Sequence, residues 1–180
     1  MQKGNSIIHF KKEHFFLDNF KRCTVEYDGI VYGSSEAAFQ AQKAPADKRI
    51  EFASMTPSKA KHEGGKNGPY RMEPGSREMK EWQDRAYDVM KNIVRAKFTQ
   101  HPKLAKQLID TGDLRLIEGN GHGDNLWGIP FVKEDMVKYR GKWLKDEEGK
   151  YILACEETDE NNHLGKILME IRDELKEAAE

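Results

Sequence analysis

Long amphipathic stretches interleaved with short β-prone ones predict a mainly helical domain that carries a small sheet. Apolar residues recur at helical spacing over about 76–98 and again over 164–179. The β-prone runs at 6–10, 24–32 and 114–117 are short and bounded by turn residues. A length of 180 residues suits one domain, 1–180, large enough to bury a sizeable core without metals or disulfides.

Composition narrows the function classes. With 34% charged and 37% hydrophobic residues, three Trp and eight Phe, the chain reads as folded rather than disordered. A net charge of −1 argues against a generic duplex-binding surface, which depends on neutralising phosphates. A local basic groove is still allowed, and Lys59, Lys61, Lys66 and Arg71 cluster. Cys23 and Cys155 have no partner at metal-ligand spacing and are expected to be reduced. His9, His14, His62, His101, His122 and His163 show no ligand spacing either, so no metal and no cofactor is expected. The first residues lack the apolar run of a signal peptide, and no apolar stretch approaches the roughly 20 residues that span a bilayer. The expectation is a cytoplasmic protein with no membrane contact and no obligate protein partner.

Taken in order, the run at 6–10 predicts a first strand. Phe15, Phe16 and Phe20 then surround Asp18 and Asn19, which suits either a turn that plugs the core or an aromatic pocket wall from which Asn19 offers donor and acceptor. Residues 24–32 form a hairpin that turns at Asp28-Gly29. Ser34 or Ser35 caps the next helix, whose alanines favour helix locally. Wound at helical pitch, Glu36, Gln40 and Lys43 share one face while Phe39 points elsewhere. Such a stripe is either a solvated face or the floor of a polar pocket.

Residues 47–55 continue helically, and Thr56-Pro57 marks a capped restart. A glycine-rich loop over 64–69 follows; it holds a lysine but lacks P-loop spacing. The longest helix covers about 76–98 with Trp82, Ala86, Val89, Met90 and Ile93 on its apolar stripe. Trp82 suits either the core or stacking on a base or ribose. His101-Pro102 breaks that helix, and another runs through Leu104 and Leu108 to Thr111-Gly112. After the 114–117 strand comes an irregular loop over 118–128 in which four glycines mix with Asp124, His122 and Trp127; glycine there permits close backbone approach to a ligand. A hairpin over 142–154 sets Trp143 and Leu144 against 151–153, and a last helix carries Leu164, Ile167, Leu168, Ile171 and Leu175 on one side.

Four separated pieces, in order, carry a family likeness: Ser35-Glu36-x-x-Phe39-Gln40-Ala41-Gln42-Lys43, Arg95-Ala96-Lys97-Phe98, Asp124-x-x-Trp127-Gly128, and Asn162-x-Leu164-Gly165. The chain resembles the NADAR, or YbiA-like, family from about residue 7 to 175. The resemblance implies an α+β fold and N-glycosidase activity. Some members hydrolyse the ribosyl–amine bond of phosphoribosylated riboflavin intermediates, and others remove ADP-ribose from guanine in nucleic acid. It further implies that Glu36, Lys43 and Asp124 are catalytic. Asn19, Phe20, Gln40, Trp82, Trp127, Gly128 and Asn162 are implied to bind substrate. In the short bacterial form, Trp-Gly and Asn-x-Leu-Gly are nearly adjacent; here residues 129–161 separate them, which predicts an inserted hairpin that could act as a lid or clamp.

The residue types suit that chemistry. Cleaving a C1′–N bond builds positive charge on the sugar and needs a proton at the departing nitrogen. Glu36 and Asp124 could supply both functions if they face each other. Lys43 offers a Schiff base to C1′ of a ring-opened ribose. Burial would lower its pKa, and Glu36 would oppose that. The preferred substrate is ADP-ribosylated guanine in DNA or RNA, on the strength of the basic cluster and the insertion; a phosphoribosylated pyrimidine is the alternative. A non-catalytic ADP-ribose binder is the competing class, and it would not need both Glu36 and Lys43.

Overall fold

The computed structural model describes residues 6–132, 144–147 and 149–179. Its described residues group into two compact units, residues 17–108 and the two flanking segments together. Helices dominate, and the strands form three two-stranded ladders, giving the expected α+β class.

In the first unit, β2 (Val25–Tyr27) and β3 (Ile30–Tyr32) make an antiparallel hairpin whose turn residues, Asp28 and Gly29, both have positive φ, as a tight twist-matched turn requires. The hairpin feeds α1 (Ser35–Ala41), where the Ser34 hydroxyl accepts from the Ala37 N–H. The segment Ala46–Ser54, expected to continue helically, is a 3-10 helix. Thr56 caps α2 (Pro57–Glu63) with Pro57 at its first position. Ser76 caps α3 (Arg77–Gln100), and α4 (Pro102–Ile109) follows the break at His101. α1 packs against α2, α3 and the 3-10 segment, and α3 also packs on β2. Phe39, Phe52, Trp82, Met90, Ile93 and Phe98 fill the core between them.

α1 ends earlier than its composition predicts. Gln42 and Lys43 turn their N–H groups to the i−3 carbonyls of Phe39 and Gln40, a tightening that closes the helix before Pro45. Lys43 therefore sits on the turn after α1, not on the helix face with Glu36 and Gln40.

In the second unit, β1 (Ser6–Ile8) pairs in parallel with β4 (Arg115–Ile117), and β5 (Gly119–Asn120) with β6 (Ile129–Pro130). α5 (His163–Glu177) lies on β4 and buries Leu164, Ile167, Leu168 and Ile171. Arg172 on α5 is buried too, donating to the Thr111 hydroxyl at 3.0 Å and the Leu114 carbonyl at 2.8 Å. Within residues 129–161, where an inserted hairpin was expected, Lys145 bridges Tyr151, the Gly149 N–H donates to the Asp146 carbonyl, and Phe131 bridges Leu153. Lys142 and Trp143 of the expected hairpin lie outside the described residues. Among the described residues no helix is long and apolar enough to cross a membrane.

Candidate active site

All of α1 is buried, polar residues included. Glu36 is only 6% exposed, and its Oε1 accepts the Gln40 side-chain amide at 2.9 Å. Its own backbone N–H donates to the Asn19 carbonyl at 3.1 Å, tying the Asp18-Asn19-Phe20 turn to the first turn of the helix. The stripe foreseen as either solvated or pocket-lining is thus withdrawn from bulk water. Burial drives the Glu36 carboxyl above its ordinary range, although Lys61, the Gln40 hydrogen bond and Lys43 pull it back.

Lys43 reaches the same neighbourhood from its turn. Its ammonium donates to the Gly64 carbonyl at 3.0 Å and lies 5.6 Å from the Trp82 ring centre and 5.7 Å from that of Phe39. Desolvation lowers its pKa below the ordinary lysine value, with Lys61 adding to the effect and Glu36 opposing it. The two tendencies that the sequence left in balance resolve in favour of burial. Gly64 belongs to the same arrangement: a Cβ built on it would stand 2.4 Å from Gln40 Oε1. Only a bare backbone lets the end of α2 approach Gln40 this closely while offering its carbonyl to Lys43.

Trp82 is core-like at 7% exposure, tilted against Phe39 with ring centres 5.1 Å apart. The Arg85 guanidinium sits 4.9 Å from its ring centre and donates to the Gln42 carbonyl at 2.9 Å. The indole therefore serves two cations, Lys43 and Arg85, as a π-face. Asn19 is buried, and its Nδ2 donates to the Met90 thioether at 3.3 Å. Three buried polar atoms here have no protein hydrogen-bond partner: Asn19 Oδ1, Ser35 Oγ and Gln40 Oε1. Each costs stability unless something bonds to it.

Asp124, Trp127, Gly128 and Asn162 belong to the second unit. Asn120 organises their loop: its Oδ1 accepts from the N–H groups of His122, Gly123 and Asp124, and its Nδ2 donates to the Asp124 carbonyl. Asp124 repeats the device, its Oδ1 accepting from Leu126 and Trp127. The Trp127 ring meets His163 edge-on at 6.0 Å.

Two of the motif residues are engaged within the protein. Asn162, expected to bind substrate, is fully buried and its amide is hydrogen-bonded on both sides. Its Oδ1 accepts from the Glu118 N–H, and its Nδ2 donates to the Leu116 carbonyl and Glu157 Oε1. It stands at the start of α5 with φ of +52°, where Asn tolerates the left-handed region. Gly128 was expected to admit a ligand. The group it admits is the Glu118 carbonyl, 2.1 Å from a Cβ built there. Both residues join β4, the loop and α5 together.

Sequence reasoning gave no individual role to Arg85, Asn120 or the buried Lys97, whose ammonium donates to the Asp18 carbonyl at 3.1 Å, and it read Lys61 only as one member of a basic cluster. Lys97 was legible inside Arg95-Ala96-Lys97-Phe98, since a lysine amid a helix's apolar stripe calls for a buried acceptor. Arg85 and Asn120 carry no local signal.

Comparison with known proteins follows the same lines. The sequence model of the NADAR domain matches residues 5–176. The chain is 34% identical over 173 residues to a riboflavin biosynthesis protein of Vibrio vulnificus (strain YJ016), covering 93% of this chain and 37% of that one. It is 33% identical over 94 residues to an N-glycosidase of Acanthamoeba polyphaga mimivirus, 52% of this chain and 46% of that one. The chain thus spans less than half the length of these two relatives. With the N-glycosidase YbiA of Shigella boydii serotype 4 it shares 30% identity over 175 residues, 95% of this chain and 89% of the relative. The NMR structure of Escherichia coli YbiA superposes with a TM-score of 0.68 at 26% identity, covering 99% of this chain and 89% of that one.

Proposed function

The chain belongs to the NADAR family, and from that premise we propose that it is an N-glycosidase acting on the bond between ribosyl C1′ and nitrogen in a nucleotide-type substrate. One observation carries the reading. On α1 and the turn that follows it, a buried carboxyl is held above its usual pKa and a lysine below its own. A carboxyl inclined to keep its proton and an amine inclined to give its own up are the tendencies that ring opening and imine chemistry use.

The steps then run as follows. Glu36 gives its proton to the ring oxygen as the C1′–O bond breaks, leaving C1′ doubly bonded to the substrate nitrogen. The Lys43 amine adds to C1′, and the resulting aminal expels the base amine, which takes a proton and leaves a Lys43–C1′ Schiff base. Water adds to that imine, Lys43 departs, and the sugar leaves as the aldehyde that recloses to ribose. Gln40 keeps one Glu36 oxygen engaged, and the π-faces of Trp82 and Phe39 hold the Lys43 cation at rest. Asp124 is assigned the leaving base on its motif position alone.

For the substrate we favour ADP-ribosylated guanine in single-stranded nucleic acid, met in the cytoplasm. The exposed Lys59, Lys61, Lys66 and Arg71 on α2 and the following loop suit a phosphate-rich ligand. A second reading, a phosphoribosylamino-pyrimidine, is favoured by the name of the Vibrio vulnificus relative. Offering both substrates to the purified protein separates the two: release of ADP-ribose supports the first, release of ribose 5-phosphate the second. Binding of ADP-ribose without turnover of either would leave the chain a binder.

A further inference from the structure

Lys61 stands on the last turn of α2, three residues before Gly64. Gly64 is the residue whose carbonyl holds Lys43 and whose bare Cα abuts Gln40. The Lys61 ammonium lies 5.4 Å from the centre of the Phe20 ring. Phe20 follows Asn19, whose carbonyl receives the Glu36 N–H. Lys61 thus tops a wall whose lower parts are Gly64 and Lys43, facing the turn that anchors Glu36. Its charge is felt by both groups, more strongly by Glu36 than that of Lys43 is. The side chain is exposed, and among the described residues no carboxylate pairs with it. Lys48, by contrast, is paired with Glu51, and Arg71 with Glu73.

A cation left without a counter-ion, resting on an aromatic face beside a buried carboxyl and a nucleophilic lysine, has a chemical meaning. It does not serve the stability of the fold through an ion pair, and its ammonium rests 5.4 Å from the Phe20 ring centre. We propose that Lys61 is the phosphate anchor of the site, binding the phosphate on the 5′ carbon of the ribosyl group whose C1′ is attacked. This rests on the N-glycosidase reading and sharpens it: the substrate class is a 5′-phosphorylated ribosylamine, with the monophosphate and the ADP-ribose pyrophosphate sharing the anchoring group. Phosphate arrival also places two negative charges near Lys61 and offsets its pull on Glu36, which favours the protonated carboxyl that ring opening uses.

The test separates binding from chemistry. Calorimetric titration of wild type, Lys61→Ala and Lys61→Arg with ribose 5-phosphate and with ribose measures the preference for phosphate directly. Lys61→Ala is expected to lose on the order of ten- to a hundredfold of that preference, the fold-change of a hydrogen bond to a charged group. Lys61→Arg retains most of it, and Lys48→Ala, whose ammonium is engaged by Glu51, leaves it at the wild-type value. In turnover of a phosphorylated ribosylamine the Lys61→Ala loss falls on KM more than on kcat, as a contact made equally in ground and transition states requires. An unchanged phosphate preference in Lys61→Ala would overturn the anchor while leaving the N-glycosidase reading intact. A shifted preference in a protein that cleaves no C1′–N bond would do the reverse. Lys61 is exposed, and a thermal melt checks that the variant is folded.

Discussion

Glu36 and Lys43 hold their protons in a perturbed order because burial penalises both charged forms more than their attraction to surrounding charges restores. The sign of the stability effect follows. Glu36 has a folded pKa above its unfolded one, so the folded state binds the extra proton between the two values; stability falls as pH rises through that window, and the cost is fully present above the folded pKa. Lys43 is depressed in the folded state, so its cost is present below its folded pKa and relieved as pH rises toward the unfolded value. Glu36→Gln removes the first cost while keeping the shape and the Gln40 neighbour. It is expected to melt at a higher temperature than wild type at pH 8, with the advantage shrinking toward pH 4, while turnover falls by about 10²- to 10⁴-fold. Thermal denaturation across that pH range and steady-state kinetics check both halves. A variant that is less stable at pH 8 would contradict the buried-carboxyl assignment. The same substitution removes the group that holds the Lys43 pKa up, so the amine should react with acylating reagents at lower pH than in wild type.

Element by element, the site depends on where α1 and α2 stop. Gln42 and Lys43 close α1 with i−3 hydrogen bonds, which swings the Lys43 side chain toward the Gly64 carbonyl at the end of α2. Gly64→Ala tests this meeting point. The added Cβ would stand 2.4 Å from Gln40 Oε1 and 3.0 Å from Gln40 Cβ, so the whole Gln40 side chain has to move and its bond to Glu36 is strained. A destabilisation of about 1–3 kcal/mol is expected, the usual cost of overpacking. Loss of the Gln40 donor should also raise the Glu36 pKa further, displacing upward the limb of the pH–rate profile on which the proton donor is lost as pH rises. A wild-type profile in Gly64→Ala would show that Gln40 does not govern Glu36. At this scale much of the fold was legible. Thr56 was readable as a cap and Ser34 as one of two candidates, Asp28-Gly29 as a turn, and the stripe of α3 as core. The early end of α1 was not, because Gln42 and Lys43 are good helix formers and the stop depends on tertiary acceptors and on Pro45 further along. The 3-10 form of Ala46–Ser54 was hidden for a similar reason, its composition being compatible with either helix.

For the molecule as a whole, charge balance limits its partners. A net charge of −1 leaves no broad field for duplex phosphates, so unmodified duplex DNA should show no retarded band in a gel-shift assay at about 0.15 M salt. A stable duplex complex under those conditions would mean that the basic residues of α2 and its loop act as a general nucleic-acid surface. The candidate site was partly legible because Glu36 and Gln40 share a helix face and Lys43 follows close in sequence. Lys61 was legible only as part of a basic cluster, and Arg85 and Asn120 were not legible, because their contacts are with residues far away in sequence or come from loop geometry without a periodic signal. Asn162 and Gly128 were legible as motif residues, while the backbone contacts they make were not. The most direct measurement is borohydride reduction during turnover of a 5′-phosphorylated ribosylamine, followed by intact-mass analysis and peptide mapping. A reduced sugar adduct on Lys43 is expected, absent from Lys43→Ala together with turnover. Turnover that persists in Lys43→Ala, or proceeds in wild type without any trapped adduct, would contradict the covalent role of Lys43.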